Sequence, residues 1–354
     1  METFTIFGAH FSKYRAASMG VGCINDTTCY NRERMSSENL KLCTETIAMQ
    51  TTDIFTVIYQ DHYLLVVNKP AGLVIHPTYK HADGTMWDAL LVYLEQQGGD
   101  DWQPPALPDE PDWKLAPPHI REMLRERRQE KQWKEDGLLP RPCLLHRLDK
   151  DTSGVVALAR TERARHHVAR QFHTHTIIKR YLAVVQQGAP SWAKPHQSFT
   201  VSRLKDDGTL SLLAADNLHL SAQTEFVLDG PLWRDPVDRR RCIIDPTGQQ
   251  ATTIFRVLAT KDDFALLEVR PLTGRTHQIR AHLAAAGYAI VGDKVYAPEP
   301  VPETPAASLT RQFLHAHSLE LQRYPDNKSC RFVAPLADDL AIWLERYIPE
   351  PKPL

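Results

Sequence analysis

The chain has 354 residues, 42% of them hydrophobic and 24% charged, with 42 Lys and Arg against 43 Asp and Glu and a formal net charge of −1. A globular chain of this length buries a core without needing disulfides or metals, and the composition excludes collagen-like, coiled-coil and wholly disordered chains. No apolar run reaches the roughly 18 residues of a membrane-spanning helix, so no membrane partner is expected.

The neutral total hides local charge. Residues 141–182 hold nine Lys or Arg against three Asp or Glu, whereas residues 95–136 hold seven basic and eleven acidic residues. A basic centre of this kind is an electrostatic footprint for phosphates, with a solvated charged helix as the plain alternative. The six cysteines, Cys23, Cys29, Cys43, Cys143, Cys242 and Cys330, fit no zinc spacing and no CxxC pair. Free thiols in a cytoplasmic protein are therefore expected. Residues 1–25 carry Glu2 as their one acid beside Lys13 and Arg15, a composition shared with transit peptides, but no secretory apolar stretch.

Residues 1–53 show no clear periodicity and read as an N-terminal extension. Phe55–Tyr59 and Tyr63–Val67 predict two strands about the turn Gln60-Asp61-His62, and Leu73-Val74-Ile75 is a further short apolar run. Thr85 is placed as the cap of a helix carrying Trp87, Leu90, Leu91 and Leu94. Residues 98–140 read as a surface insertion: a proline-rich loop over 98–118, then a charged helix from His119 to about Lys134 with only a weak apolar stripe. Residues 54–350 form the remaining unit. Val155–Ala159 is a buried strand, Thr161 caps a helix carrying Ala164, Val168 and Phe172, and Tyr181–Val185 and Ala265–Val269 are strands. Thr273-Gly274 turns the chain into a helix from Thr276 to Ala286, closed by Gly287. Hairpin-like strand runs with irregularly placed helices predict an α+β fold with a central mixed, largely antiparallel sheet, flanking helices and a cleft.

Three polar clusters sit at strand ends, where loops present chemistry on a rigid scaffold. The first is His146-Arg147-Leu148-Asp149-Lys150-Asp151-Thr152-Ser153-Gly154. Arg147 and Lys150 flank Asp149 and favour its ionised form, which suits a nucleophile or electrostatic stabiliser better than a general acid. A turn held by Asp and Thr side chains is the structural alternative. The second is Lys179-Arg180-Tyr181, in which Tyr181 offers a flat face for base stacking or, more plainly, a strand tyrosine for the core. The third runs from Arg270 to His282. On a helix His277 and Arg280 share a stripe, and with Arg275 nearby they make an anion site at a helix N-terminus, or else a basic helix end on the surface.

Together these clusters resemble the RluA family of pseudouridine synthases, over about residues 55–347. HRLDKDTSG (146–154) matches the block around that family's catalytic aspartate, and TGRTHQIRAH (273–282) with Gly292-Asp293-Lys294-Val295-Tyr296 matches its second strong block. Val67–Leu73 with His76-Pro77, Arg234–Arg241, Leu314–Leu319 and Pro335-Leu336 are weaker echoes in the same order. Two long ordered motifs are far more specific than one short one.

The resemblance implies the pseudouridine synthase fold and isomerisation of uridine in ribosomal or transfer RNA, without metal or other cofactor, by a cytoplasmic monomer. It implies that Asp149 is the nucleophile, Arg147 fills the gap left by the extruded base, Tyr181 packs on the uracil and is a candidate to help deprotonate C5, and Arg280 pairs with Asp149 and holds it in place. His146, Arg275 and His277 are expected at the substrate, and Arg239, Arg240 and Arg241 on phosphate. The S4 RNA-binding domain of many members has no counterpart pattern in residues 1–53. Two other classes fit the sequence less well. A non-catalytic RNA-binding or ribosome-assembly factor has no need of an ionised Asp149 among phosphate-binding cations. A metal-dependent hydrolase built on His166, His167, His173 and His175 lacks a carboxylate at ligand spacing. Cys143 as a nucleophile is weaker than Cys143 as a small residue entering a strand.

Overall fold

The computed structural model describes residues 21–24, 28–31, 54–77, 83–97, 116–193, 197–214 and 218–348. Most of the expected extension and the proline-rich part of the expected insertion lie outside these residues. Within residues 1–53, β1 (Val21–Ile24) and β2 (Thr28–Asn31) pair as a hairpin.

The two strands expected after residue 54 are β3 (Thr56–Gln60) and β4 (Leu64–Lys69). Leu73-Val74-Ile75 joins no ladder. The carbonyls of Val74 and Ile75 instead accept from the backbone N–H groups of Met86 and Trp87, at 2.8 and 3.1 Å, and so satisfy the first turn of α1 (Met86–Gln97). Thr85 precedes that helix as expected, but its hydroxyl does not accept. The Asp88 carboxylate, a stronger acceptor, takes both the Thr85 N–H and the Thr85 O–H, at 2.9 and 2.8 Å. The charged helix is α2 (Pro118–Asp136), and residues beyond it form β5 (Leu138–Leu144), which pairs with β6 (Ser153–Thr161).

α3 (Glu162–His173) starts where Thr161 Oγ1 accepts from the Ala164 N–H at 3.3 Å. There follow β7 (Ile178–Gln187), β8 (Thr200–Leu204), β9 (Leu210–Leu213), β10 (Glu225–Asp229), the small hairpin β11 (Leu232–Arg234) and β12 (Cys242–Ile244), then β13 (Thr252–Lys261) and β14 (Phe264–Pro271). α4 (Gln278–Ala285), β15 (Tyr288–Ile290), β16 (Leu314–Gln322), β17 (Ser329–Val333) and α5 (Asp338–Tyr347) complete the described chain.

Thirteen of these strands form one sheet in the order β3-β4-β6-β16-β7-β14-β13-β10-β8-β9, with β5, β15 and β17 paired to β6, β7 and β16. Among the described strand ladders β16–β6 alone is parallel, through His315 opposite Ser153 and Ala316 opposite Gly154. The sheet is thus mixed and largely antiparallel, and the α+β expectation holds. β6 is buried at all nine positions because helices cover both of its faces. Met86 and Leu90 of α1 pack with Val67, Val156 and Leu158 on one side. Val168 of α3 packs with Val66, Val155 and Ala157 on the other. The alternation along one strand feeds two cores and leaves its N-terminal end, just after the Asp149 loop, rigidly placed.

Cys143 and Cys242 are free, whereas Cys330 is disulfide-bonded, which corrects the expectation of free thiols throughout. Among the described residues no helix is long and apolar enough to cross a membrane.

Two fully buried histidines brace the core. His282 bonds Thr253 Oγ1 and the Gly230 carbonyl, and His315 bonds Ser153 Oγ and the Ala334 carbonyl. Burial pushes both pKa values down to about 4, from an unfolded value near ~6.5. The unfolded chain therefore binds more protons below that value. Their contribution to stability is complete above about pH 6.5 and is lost as pH falls toward 4. Urea midpoints should fall across this window, and His282→Asn should remove part of the slope; equal slopes in both proteins contradict the assignment.

Candidate active site

The loop from Asp149 to Gly154 is pinned residue by residue, each by a different part of the fold. The Thr152 N–H donates to the Asp149 carbonyl at 3.2 Å and closes the turn. The fully buried Lys69, at the end of β4, donates to the Lys150 carbonyl at 2.9 Å. Its other two donors go to the carbonyls of Pro70 and Leu73, at 2.7 and 2.9 Å. Burial pushes the Lys69 pKa down to about 7, while three carbonyl acceptors favour its charged form. Arg311 Nη1 holds the Asp151 carbonyl at 3.2 Å, and the Arg311 fork is itself held by Asp339 at 2.7 and 2.8 Å. Gln312 Nε2 donates to Thr152 Oγ1 at 3.2 Å, and Ser153 Oγ lies 2.9 Å from His315 Nδ1. Gly154, at φ +120°, lets β6 meet β16, since a Cβ there would lie 2.2 Å from the Ala316 carbonyl oxygen. The backbone at 150 and 151 and the side chains at 152 and 153 are thus each fixed by a partner, which holds Asp149 in place at the start of the turn.

Asp149 Oδ2 lies 3.0 Å from Arg280 Nη1 and 3.8 Å from His277 Nε2, with 23% of its side chain exposed. Arg280 is buried and reaches Asp149 from α4, with its Nε and Nη2 held by the fully buried Asp293 carboxylate at 2.6 and 2.8 Å. Asp293 also accepts from the N–H groups of Val295 and Tyr296, at 2.9 and 3.0 Å. Its charge is therefore solvated by the protein, as a buried carboxylate requires. Burial works against the Arg280 charge, but Asp293 and Asp149 outweigh it and keep the guanidinium protonated. Tyr296 completes the support: the Arg280 guanidinium lies over its ring at 4.8 Å, and its hydroxyl bonds the Cys242 backbone and His277 Nδ1.

The Asp149–Arg280 pair opens into a cleft of about 640 Å³ lined by the three clusters. Arg147 stands exposed at its rim and Tyr181 lies in its wall. Burial, and then the Asp149 charge, raise the Tyr181 pKa, so its hydroxyl stays a neutral phenol at neutral pH. Arg275 is exposed on the lining, with Nε donating to the Gln250 carbonyl at 3.3 Å. Asp149 is the one carboxylate among the lining residues.

Several expected site residues are placed differently. His277 and Arg280 do not share a helical stripe, because His277 adopts φ 54° and α4 begins after it, at Gln278. Gln278 folds this turn by accepting from the Arg275 N–H and Thr273 O–H and donating to the Thr252 carbonyl. All eight residues of α4 are buried, which removes the reading of a basic surface helix end. Burial pushes the His277 pKa below the usual histidine range, only partly offset by Asp149, so this ring is no standing cation for phosphate. His146 lines the cleft, but its Nε2 accepts from the Ala157 N–H at 3.1 Å and its ring stacks on Phe172. Burial pushes its pKa down to about 3, so it buttresses the loop as a neutral ring.

The basic loop after β11 lies off the cleft lining. Arg241 turns inward, stacks over Trp192 at 3.7 Å and pairs with the buried Asp235 at 2.5 Å. Arg240 is held by Asp238 at 2.7 Å. Arg239 stays exposed. Three adjacent arginines are therefore not three free phosphate contacts, because two aspartates of the same loop take two of them. Among the described residues no group of three His, Cys, Asp or Glu is arranged to hold a metal. Of the histidines named for the disfavoured hydrolase alternative, His166 lies against Glu162 and His167 bonds the Gln322 carbonyl. Cys143 Sγ contacts its neighbour's carbonyl at 3.7 Å.

The sequence reading gave no role to Lys69, Asp293, Tyr296, Gln278 or Lys179. Each lies inside a stretch that carries the family resemblance, but nothing local distinguishes a charged residue that braces from one that faces substrate.

The chain matches the family model described as RNA pseudouridylate synthase over residues 63–285. It belongs to that family. It is 30% identical over 292 residues to the ribosomal large subunit pseudouridine synthase D of Nitrosomonas europaea, covering 82% of this chain and 64% of that protein. It is 34% identical over 279 residues to an uncharacterized RNA pseudouridine synthase of Chloroflexus aurantiacus, covering 79% and 65%. It is 31% identical over 305 residues to the synthase D of Xanthomonas campestris pv. campestris, covering 84% and 70%. The chain thus spans just under two thirds of the length of the first two relatives.

Breaking the buried pair tests the bracing. Asp293→Ala strands a buried guanidinium and should cost about 3–5 kcal/mol of unfolding free energy. Denaturant unfolding measures it, and a loss below 1 kcal/mol contradicts a buried, paired Arg280.

Proposed function

We propose that the chain isomerises uridine to pseudouridine in RNA. The observation that carries this reading is the lone carboxylate of the cleft, partly open to solvent and held 3.0 Å from a buried guanidinium. A target atom inside a stacked strand is reached by turning the nucleotide out, at a cost of a few kcal/mol. Arg147 at the rim supplies a planar cation for the vacated space. The base then lies against Tyr181 with its ribose at Asp149. The reaction breaks the C1′–N1 bond, turns the base within the cleft and joins C5 to C1′; the C5 proton leaves and N1 regains one. Asp149 acts at the ribose, as nucleophile on C1′ or as base toward a ribose proton. Tyr181 serves as a stacking wall with a neutral hydroxyl, which is what its raised pKa supports.

The substrate is proposed to be ribosomal RNA, following the names of the Nitrosomonas and Xanthomonas relatives. Action as a monomer is part of this proposal, and no residue role in the scheme calls on a cofactor. The cytoplasm is the proposed location. A binding-only role is disfavoured because a carboxylate at the centre of the cleft repels phosphate.

Incubating unmodified large-subunit ribosomal RNA transcript with the purified protein and mapping pseudouridine chemically should reveal new sites. Asp149→Ala should lower their formation at least 10³-fold while RNA binding stays within about threefold. Turnover by Asp149→Ala within tenfold of the parent overturns the role given to Asp149.

A further inference from the structure

Two lysines at strand ends beside the Asp149 loop make no ion pair among the described residues, and they are satisfied very differently: Lys69 is fully buried, whereas Lys179 is half-buried in the cleft wall. Lys69 spends all three of its N–H bonds on carbonyl oxygens of the protein. Lys179, at the start of β7 two residues before Tyr181, has one acceptor among the described residues, the Thr273 carbonyl at 2.9 Å. An ammonium carries three donors, so two remain. They belong to a residue of the cleft lining. No Asp or Glu lies within ion-pair distance of it among the described residues. Burial alone lowers its pKa, to about 8, which leaves it charged at neutral pH. The positive neighbours Lys179 and Arg275 both act on His175, so this side of the cleft concentrates positive charge away from Asp149.

A half-buried ammonium with one fixed acceptor and two donors turned to the cleft is already oriented for an anionic ligand that enters there. A second observation points the same way. Gly274 sits directly over the ammonium: a Cβ there would meet only Lys179 Nζ, at 3.8 Å. Its φ lies outside the left-handed region, so the backbone does not demand glycine. What glycine secures at 274 is an uncovered approach to Nζ from the cleft.

We propose that Lys179 binds a phosphate oxygen of the turned-out nucleotide, with Thr273 anchoring one N–H and Gly274 keeping the path to the other two open. This inference rests on the RNA reading above. It assigns the phosphate to the β7 side of the cleft and the ribose to the Asp149 side. The uracil then lies between them, against Tyr181, the residue two positions along the same strand face.

The test is equilibrium binding of the unmodified large-subunit ribosomal RNA transcript over a salt series, in an Asp149→Ala background so that the RNA stays unchanged. Lys179→Met should weaken binding at least tenfold at low salt and lower the slope of log affinity against log salt by about one. Lys179→Arg, which keeps the charge, should recover to within about threefold. Gly274→Val, which leaves Lys179 and its Thr273 bond in place, should weaken binding about as much as the Met variant. It also decides the matter if Lys179→Met does not fold. Unchanged affinity and slope in Lys179→Met, or in folded Gly274→Val, overturn the proposal, as does an Arg variant no better than Met. Pseudouridine formation by the unmutated protein on the same RNA separates the two claims. Its absence with a Lys179-dependent slope removes the isomerase reading alone, and its presence with no Lys179 effect removes the phosphate contact alone.

Discussion

One chain of charges organises this molecule: the Asp293 carboxylate grips the Arg280 guanidinium on two nitrogens, and the remaining face of Arg280 reaches Asp149 at 3.0 Å. A guanidinium suits this task because its planar fork bonds two carboxylates in fixed directions. The two acids are not equivalent. Asp293 is sealed off and saturated with donors, whereas Asp149 keeps 23% of its side chain open. Burial thus separates a carboxylate that orients from one that is left available. Removing Arg280 would leave two like charges near one another in a place largely closed to water.

The rest of the fold positions that pair from two directions. From below, the helix-covered strand β6 fixes the end of the 149–154 loop, and Lys69, Arg311, Gln312 and His315 bind four successive residues of it. From above, Gln278 and Tyr296 fix the turn and helix that carry Arg280. The two halves are far apart in sequence and meet through the parallel β6–β16 ladder, where only glycine fits at 154. Small errors in either half would displace the carboxylate, and misplacement by about 1 Å can cost a reaction two orders of magnitude.

Sequence reading captured what periodicity and local rules control. The continuous apolar run of β6, the Thr161 cap of α3 and the glycine after α4 each report a local preference, and each stands where it was expected. The Asp149–Arg280 meeting came from family resemblance, because 131 residues of chain separate the two and no local pattern spans them. What local patterns missed was direction. Four basic-type side chains around α4 looked alike in sequence, yet His282 faces the core, His277 is neutralised by burial, and Arg280 is committed to two acids. Arg241 looked like a phosphate contact and is instead packed on Trp192. Lys69 and Lys179 are both lysines at strand ends, and burial together with the count of carbonyls around each ammonium separates a brace from a donor turned to the cleft.

The account stands on Asp293 acting through Arg280 and not on its own. A double-mutant cycle on pseudouridine formation measures this directly, using Arg280→Met, Asp293→Asn and their combination, each checked for folding. If the chain of charges is one device, the double variant is no slower than Arg280→Met within about twofold. Losses that multiply, with the double variant slower by the product of the two single effects, would show that Asp293 does not work through the guanidinium and would contradict the account.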